Sequence, residues 1–327
     1  MSTEDPSAVE QVRTTASVET DRPWAMAAIA VFWGWLLVRW TNDFLLPDTV
    51  AFPSGKSFFP VAPVAAAAER VGSVAASVGL FGAPLDVVAG LLGFVAGSVP
   101  HLPALARGAW LTIVLTVAGI ALGFVLAVPL SVGRVYGSRV LRWVSLSYTE
   151  LVRGTPLLAQ LFVLYYGLPL TGIIRDVPGV GVGFVPAQAV WVAIIGFTLN
   201  SAAYQAEYIR SALESVDAGQ LTAARAIGLS EIEGIRYVVL PQGLRYAIPG
   251  WSNELVYLIK YSSLAAFITV RELFFEARFI ANDTFQYTEL FLLAALFYLA
   301  LVISASVFMN WVEERTSVPG VGGRRRA

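Results

Sequence analysis

Residues 108–133 read GAWLTIVLTVAGIALGFVLAVPLSVG, with no charge between Arg107 and Arg134. About 20 residues in helical conformation cross the hydrocarbon core of a bilayer, so this stretch is long enough to span one. Its apolar positions are continuous, without the alternation of ~10-residue barrel strands. The rest of the chain has the same character: of 327 residues, 57% are hydrophobic and 14% charged, against roughly 25% charged in soluble domains. The reading is an all-α, polytopic membrane protein.

Working outward, further apolar stretches run over Pro23–Val38, Gly154–Ile174, Val177–Ala206, a broken segment Ile248–Val270, and Leu290–Val312. Trp24, Trp33, Trp35 and Trp40 mark the first of these as an anchor helix with interfacial aromatics. The acidic residues before it, among them Glu4, Asp5, Glu10, Glu19 and Asp21, argue against a cleaved signal, which needs a basic start. Val87–Val99 is too short to span and suits an interfacial or re-entrant segment. When the six spans alternate, 14 basic residues fall on one side and seven on the other, Arg39, Lys56, Arg70, Arg107, Arg175, Arg271 and Arg278. Basic residues favour the cytoplasm, so both termini are assigned there. The resulting division is a cytoplasmic tail 1–22, an anchor 23–40, an external loop 41–107, a core of five membrane helices 108–315 and a basic cytoplasmic tail 316–327, with a cytoplasmic loop at 210–246.

The chain has no Cys and one His, His101. It therefore has no basis for a Cys/His metal site or a thiol nucleophile, and no cofactor or metal is expected. The net charge of −1 gives no electrostatic reason to expect nucleic acid as a partner. Membrane lipid is the expected surroundings.

Charges inside spans are costly and normally face a bundle interior or a cavity. Glu150, Arg153 and Gln160 fall on roughly one helix face, next to a kink expected at Arg153-Gly154-Thr155-Pro156, because the residue before proline avoids the helical region. Asn200, Tyr204, Glu207 and Ser211 form one stripe at spacings of four, three and four. Glu254 and Lys260 are about 240° apart on a regular helix and cannot meet, so each needs a partner elsewhere. The bland alternatives are a snorkelling Arg153 beside an interfacial kink, interhelical hydrogen bonding for the Asn200 stripe, and a tightly packed polar core around Glu254 and Lys260.

The loop 210–246 carries the densest local signals. Asp217 with Gln220 and Ser230 with Glu233 have capping-box spacing, and Gly219 and Gly228 stand where helices stop. The spacing predicts a short helix Gln220–Ile227, a glycine stop, and a second helix ending at Leu240 before Pro241. A short capped helix at a membrane face is shaped to dock into another protein.

This loop also carries a resemblance. Thr222-Ala223-Ala224, three residues, Gly228, nine residues, then Val238-Val239-Leu240-Pro241 resembles the EAA loop of ABC importer permeases. Glu150-Leu151-Val152-Arg153-Gly154-Thr155-Pro156 with Tyr165-Tyr166-Gly167-Leu168-Pro169, Asn200-Ser201-Ala202-Ala203-Tyr204, and Lys260-Tyr261-Ser262-Ser263-Leu264 resemble the polar amino-acid branch, the histidine/glutamate/glutamine/arginine permeases. The match runs from about Ala104 to Glu314. It departs from the family pattern at Thr222 (usually Glu), Ala202 (usually Gly) and Tyr261 (usually Asp).

The resemblance implies a type I importer membrane domain with a five-helix core plus an N-terminal extra helix, working by alternating access in the plasma membrane. Two cytoplasmic ABC ATPases, a second permease as homodimer or heterodimer partner, an external solute-binding protein and an amino-acid substrate come with that expectation. ATP hydrolysis would lie on the separate subunit, since Gly55-Lys56-Ser57 lacks the first glycine of a phosphate loop, with Val50 in its place. Thr222, Ala223, Ala224, Arg225, Ile227, Gly228, Leu240 and Pro241 would form the ATPase-coupling loop. Gln160, Asn200, Tyr204 and Lys260 would line the substrate path, with Glu150, Arg153, Glu207 and Glu254 as gate or ion-pair groups. A compatible-solute importer is the nearest alternative. A secondary transporter would have no use for the capped loop, and an intramembrane hydrolase would lack a nucleophile–base pair near His101.

Overall fold

The computed structural model describes residues 23–46, 53, 55–78, 82–181 and 186–316; these are mostly helical, with no strand among them. The expected terminal tails 1–22 and, beyond Thr316, 317–327 lie outside the described residues. Four helices are long and apolar enough to cross a membrane: Pro23–Leu45, Ala83–Tyr136, Gln188–Glu214 and Tyr287–Thr316.

The centre of the molecule is the pairing of α4 (Leu102–Tyr136) with α8 (Gln188–Glu214). Small residues make it close. A Cβ on Gly119 would lie 3.0 Å from the Phe197 Cβ, and one on Gly123 would lie 3.1 Å from the Ser201 Cβ and 3.2 Å from the Ala202 backbone nitrogen. In lipid, where tails are as apolar as leucine, such close backbone approach is a main source of helix association. Ala202, the departure from the usual glycine, is itself fully buried in this contact.

The N-terminal third is built on this pair. α1 (Pro23–Trp40) passes through a π turn at Thr41–Leu45; Trp24 is exposed, but Trp33, Trp35 and Trp40 turn inward more than their expected interfacial role requires. Trp33 Nε1 donates to Ser304 Oγ at 2.9 Å and Trp40 Nε1 to the Ala106 carbonyl at 2.7 Å, while Trp35 packs edge-on against Phe297. Arg39, only 1% exposed, pairs with Asp43 and donates to the Lys56 carbonyl. α2 (Ala62–Val78) and α3 (Ala83–Ser98) form a helical hairpin, and α3 continues through a 3-10 turn at Val99–His101 into α4. Val87–Val99 is thus mostly one end of a longer helical run rather than an isolated segment.

Three span boundaries differ from expectation, each for a local reason. The stretch expected as one span, Gly154–Ile174, is broken into α6 (Leu157–Phe162), a π turn at Val163–Gly167 and α7 (Leu170–Arg175). Leu168 is extended at φ −109°, ψ 152°, as the residue before Pro169 should be. The span expected to begin at Val177 begins at Gln188, because Gly179 and Gly181 take positive φ and Pro178 and Pro186 interrupt. It then runs past Ala206 to Glu214, held by i,i+3 and i,i+4 pairs from Arg210 to Glu207 and Glu214.

The third difference is at Pro241, which does not end a helix. α10 (Glu231–Gly234) enters a π turn at Ile235–Val239, in which the Leu240 N–H reaches back to the Ile235 carbonyl, and the chain continues as α11 (Leu240–Tyr261). The wider turn shifts the hydrogen-bond ladder just before a residue with no N–H to contribute. A 3-10 segment Ser262–Ile268 and Thr269 in the left-handed region close α11, followed by α12 (Leu273–Thr284) and α13 (Tyr287–Thr316).

Candidate functional site

The loop 210–246 contains a short helix with a well-defined start and stop. α9 (Ala218–Ala226) begins at Asp217, whose carboxylate accepts from the Gly219 N–H at 2.7 Å. Gln220 does not close the expected box; its side-chain oxygen accepts from Gln242 Nε2 at 3.3 Å, tying α9 to α11. At the other end the Leu229 N–H bonds the Ala224 carbonyl and the Gly228 N–H bonds the Arg225 carbonyl. This is the Schellman pattern, with Gly228 at φ +96° and nothing within 4 Å of a Cβ placed on it. Glycine is required there by the backbone, not by crowding.

The Ser230–Glu233 capping box forms in full, with the Ser230 N–H donating to Glu233 at 2.8 Å. The Ser230 hydroxyl and then its N–H hold the Glu233 carboxyl below the usual carboxylate range. A lowered value means that the box's contribution is present above the ordinary carboxylate pKa and is lost as pH falls through the lowered one.

The loop presents a face. Ile227 is 81% exposed, and Thr222, Ala223, Arg225, Gly228 and Pro241 are exposed with it, as are Ile232 and Tyr237. Ala224 is 3% exposed and half-buried Leu240 also turns inward. Ala224 packs instead beside Gly234, where an added Cβ would come within 3.3 Å of it. Of the eight residues expected in the coupling loop, Ala224 and Leu240 are thus turned inward and the other six lie at the surface.

The polar groups of the spans form one network at the break between α5 (Arg139–Arg153) and α6. Gln160 Nε2 donates to the Val152 carbonyl at 2.6 Å and to Thr155 Oγ1 at 2.8 Å, satisfying groups that the break at Pro156 leaves free. Its Oε1 accepts from Asn200 Nδ2 of α8 at 3.1 Å. One turn and more along α8, Glu207 lies 3.8 Å from Arg153, and the Arg153 guanidinium stands 5.4 Å from the Tyr204 ring. Arg210 bonds the same Glu207 at 3.0 Å and Glu214 at 2.5 Å. The stripe Asn200, Tyr204, Glu207 thus faces the kink, and of its partners the structure brings together Gln160 and Arg153.

Three expected residues stand apart. Glu150 is exposed on α5, since the helix ends before its face could continue to Gln160. Lys260 is exposed on α11, its ammonium 5.5 Å from the Tyr257 ring, which stacks on Tyr261. Glu254 is buried against Ser201 of α8, apart from Lys260, as the helical spacing required.

Two buried polar groups lay outside the sequence reading. Gln205, fully buried, donates to Ser201 Oγ at 2.9 Å and to the Ile120 carbonyl of α4 at 3.0 Å. Its i,i+4 relation to Ser201 was the available signal. Glu272, also fully buried, caps α12 through the Phe274 and Phe275 N–H groups and accepts from Tyr298 at 2.7 Å. A Glu immediately before an apolar helix start was its signal. Among the described residues no group of His, Cys, Asp and Glu could hold a metal ion.

The family profile described as "Binding-protein-dependent transport system inner membrane component" matches residues 119–318. The chain is 39% identical to the probable amino-acid ABC transporter permease protein YckA of Bacillus subtilis (strain 168), over 67% of this chain and 91% of that protein. It is 34% identical to the nopaline transport system permease protein NocM of Agrobacterium fabrum, over 62% of this chain and 83% of that protein. Among solved structures, an amino acid ABC transporter crystallised with histidines superposes with a TM-score of 0.57 at 28% identity, covering 67% of this chain and 97% of that one. The MetNI methionine transporter in an inward-facing conformation shares the fold at 20% identity and a TM-score of 0.57, over 67% of this chain and 99% of that one. The profile, the relatives and the superposed core agree with the helical loop and the polar network: the chain belongs to the family of binding-protein-dependent transport system inner membrane components.

Proposed function

We propose that this chain is the membrane subunit of an ATP-driven importer of polar amino acids in the plasma membrane, receiving solute from an external binding protein and moved by two separate cytoplasmic ATPases. The observation that carries the reading is α9, a helix stopped by its own Schellman glycine, with Ile227 exposed and its chain continuing through the π turn into α11. Force applied to α9 would pass through Gln220–Gln242 and the continuous backbone to α11, and from there to the bundle. Rocking of helices around a fixed polar site is alternating access. A second permease subunit would cover exposed apolar positions such as Val140, Trp143 and Leu151 on α5.

Relatives carry amino-acid and opine names, which supports an amino-acid solute here. A zwitterion needs acceptors for its ammonium and donors for its carboxylate. Tyr204 and Arg153 are the accessible donors on this network and exposed Lys260 is a further donor apart from it, whereas Asn200, 4% exposed, is occupied with Gln160. Asn200 and Gln160 therefore enter the path as positioning residues that hold the kink against α8. In proteoliposomes with the ATPase and binding protein, uptake should require ATP and the ATPase; uptake that persists without either would overturn the assignment in favour of a secondary transporter.

Asn200→Leu is expected to keep the assembled protein, because an interhelical hydrogen bond in lipid averages about 0.6 kcal/mol. It should lower uptake or change the order of preferred amino acids; unchanged kinetics in both Asn200→Leu and Gln160→Leu would move the path to other helix faces. Topology has its own test, since the chain has no cysteine. A single cysteine at Val177 should react with an impermeant maleimide on intact cells, and one at Ile232 only after permeabilisation. The reverse pattern would invert the orientation with the termini outside.

A further inference from the structure

A cavity of about 750 Å³ opens where the C-terminal end of α1 meets α4, α8 and the segment Thr269–Arg271. It is separate from the polar network and involves α1 and its π turn, which precede the matched family segment 119–318. Its size falls within the roughly 300–1,000 Å³ of ligand pockets. Trp40, Phe44 and Trp110 line one part of it, with Trp110 5.1 Å from Trp40 and 5.9 Å from Phe44 centroid to centroid, and Ala189 and Val190 of α8 line another.

The charged groups at this cavity are unequal in their partners. Arg271 is paired with Glu276 at 2.9 Å. Arg107 is exposed and, among the described residues, has no ion pair and donates no hydrogen bond, although Gly55 passes close enough that a Cβ there would lie 3.7 Å from its guanidinium. Lys56, the next residue, is also exposed. The cavity thus has apolar, aromatic walls and one uncommitted guanidinium, with a second cation nearby. An amino acid does not fit this chemistry: its ammonium would find only Glu276, already held by Arg271.

The position narrows the occupant further. α1 is one of the helices able to cross the membrane, and the cavity lies at its end, ringed by the aromatic side chains that favour the boundary between hydrocarbon and headgroups. The walls are mostly apolar, and at that depth the molecule present in excess is phospholipid. We propose that this cavity is a binding site for an anionic phospholipid, with an acyl chain against Trp40, Phe44, Trp110 and Ala189 and the phosphate on Arg107. Basic pockets between membrane helices bind anionic headgroups in this way, with about 1 kcal/mol per basic residue near the surface, or roughly five-fold in affinity. The lipid would fasten α1 to the core at the external end of the bundle.

The test is lipid retention by the full chain purified with its accompanying subunits, measured by native mass spectrometry after titration with phosphatidylglycerol or phosphatidylcholine. The wild type should retain phosphatidylglycerol about five-fold more strongly. Arg107→Gln should remove that preference, and Ala189→Phe, which fills the cavity, should lower retention of both lipids. Arg175→Gln, an exposed arginine outside the cavity, should change neither. Equal retention of the two lipids by the wild type would overturn the headgroup assignment. Retention of both lipids by Ala189→Phe equal to that of the wild type would overturn the site. A second readout guards against a misfolded variant: brominated phosphatidylglycerol should quench wild-type tryptophan fluorescence more than that of Trp110→Phe, and identical quenching in the two would likewise refute the site.

Discussion

Replacing Gly228 by valine should abolish ATP-driven uptake while leaving the chain at normal levels in the membrane. Gly228 holds φ +96° at the end of α9, with open space around its Cα. A side chain therefore costs nothing sterically from neighbours, and the whole penalty lies in the backbone. That penalty is about 1–3 kcal/mol for a residue forced into such a conformation, largest for a β-branched side chain. The Schellman bonds from Leu229 and Gly228 would be traded for a rearranged turn, and the orientation of Ile227 and Ala223 toward the ATPase would change. Asparagine tolerates the left-handed region better, so Gly228→Asn should fall between glycine and valine. The measurement is uptake together with ATPase activity in the reconstituted complex. ATP hydrolysis that continues while uptake fails identifies lost coupling, whereas Gly228→Val with normal protein levels and undiminished uptake would refute the coupling role of α9.

Charge reversal at Glu207 should have the next largest effect. Glu207 is the single carboxylate between Arg153 at 3.8 Å and Arg210 at 3.0 Å, and it joins the end of α5 to α8 beside the kink. Glu207→Lys would set three cations together. Removing one partner of a buried pair costs about 3–5 kcal/mol, and an exposed pair about 0–1 kcal/mol. The Glu207 and Arg153 side chains are 20% and 34% exposed, so about 1–3 kcal/mol is the reasonable range between those limits. Uptake should fall by roughly ten-fold or more, since each 1.4 kcal/mol is a factor of ten. Arg153→Glu in the Glu207→Lys background should recover part of it by restoring an opposite pair. If Glu207→Lys assembles and transports as wild type, the ion pairs are surface decoration and the gate lies elsewhere.

Membrane-spanning hydropathy, helical class and the capped helices of the loop were legible in the residues themselves, because each rests on interactions within a few positions along the chain. Hydropathy over a stretch such as 108–133 decides whether it can lie in lipid. The stop at Gly228 and the box Ser230–Glu233 are closed by hydrogen bonds spanning five residues or fewer. Where span boundaries moved, the cause was equally local, as at Leu168-Pro169 and at Gly179 and Gly181, but it required weighing a proline or glycine against a hydropathy run. The continuation through Pro241 was harder, because a π turn shifts the ladder without leaving a compositional mark.

What no local rule could supply was which polar group meets which. Gln160 meets Asn200, Arg153 meets Glu207, Glu254 meets Ser201, and Ala224 faces Gly234 rather than a partner protein. The same applies to the tryptophans of α1, which turn from the bilayer to Ser304 and Ala106. Along one helix, sequence spacing determines the stripe; across helices, the partner depends on their rotation and relative height. Lipid is as apolar as the leucines that face it, so hydropathy does not distinguish a lipid-facing side from a protein-facing one. The close contacts allowed by Gly119 and Gly123 set that rotation and height for α4 and α8, and these contacts exist only in the assembled tertiary structure.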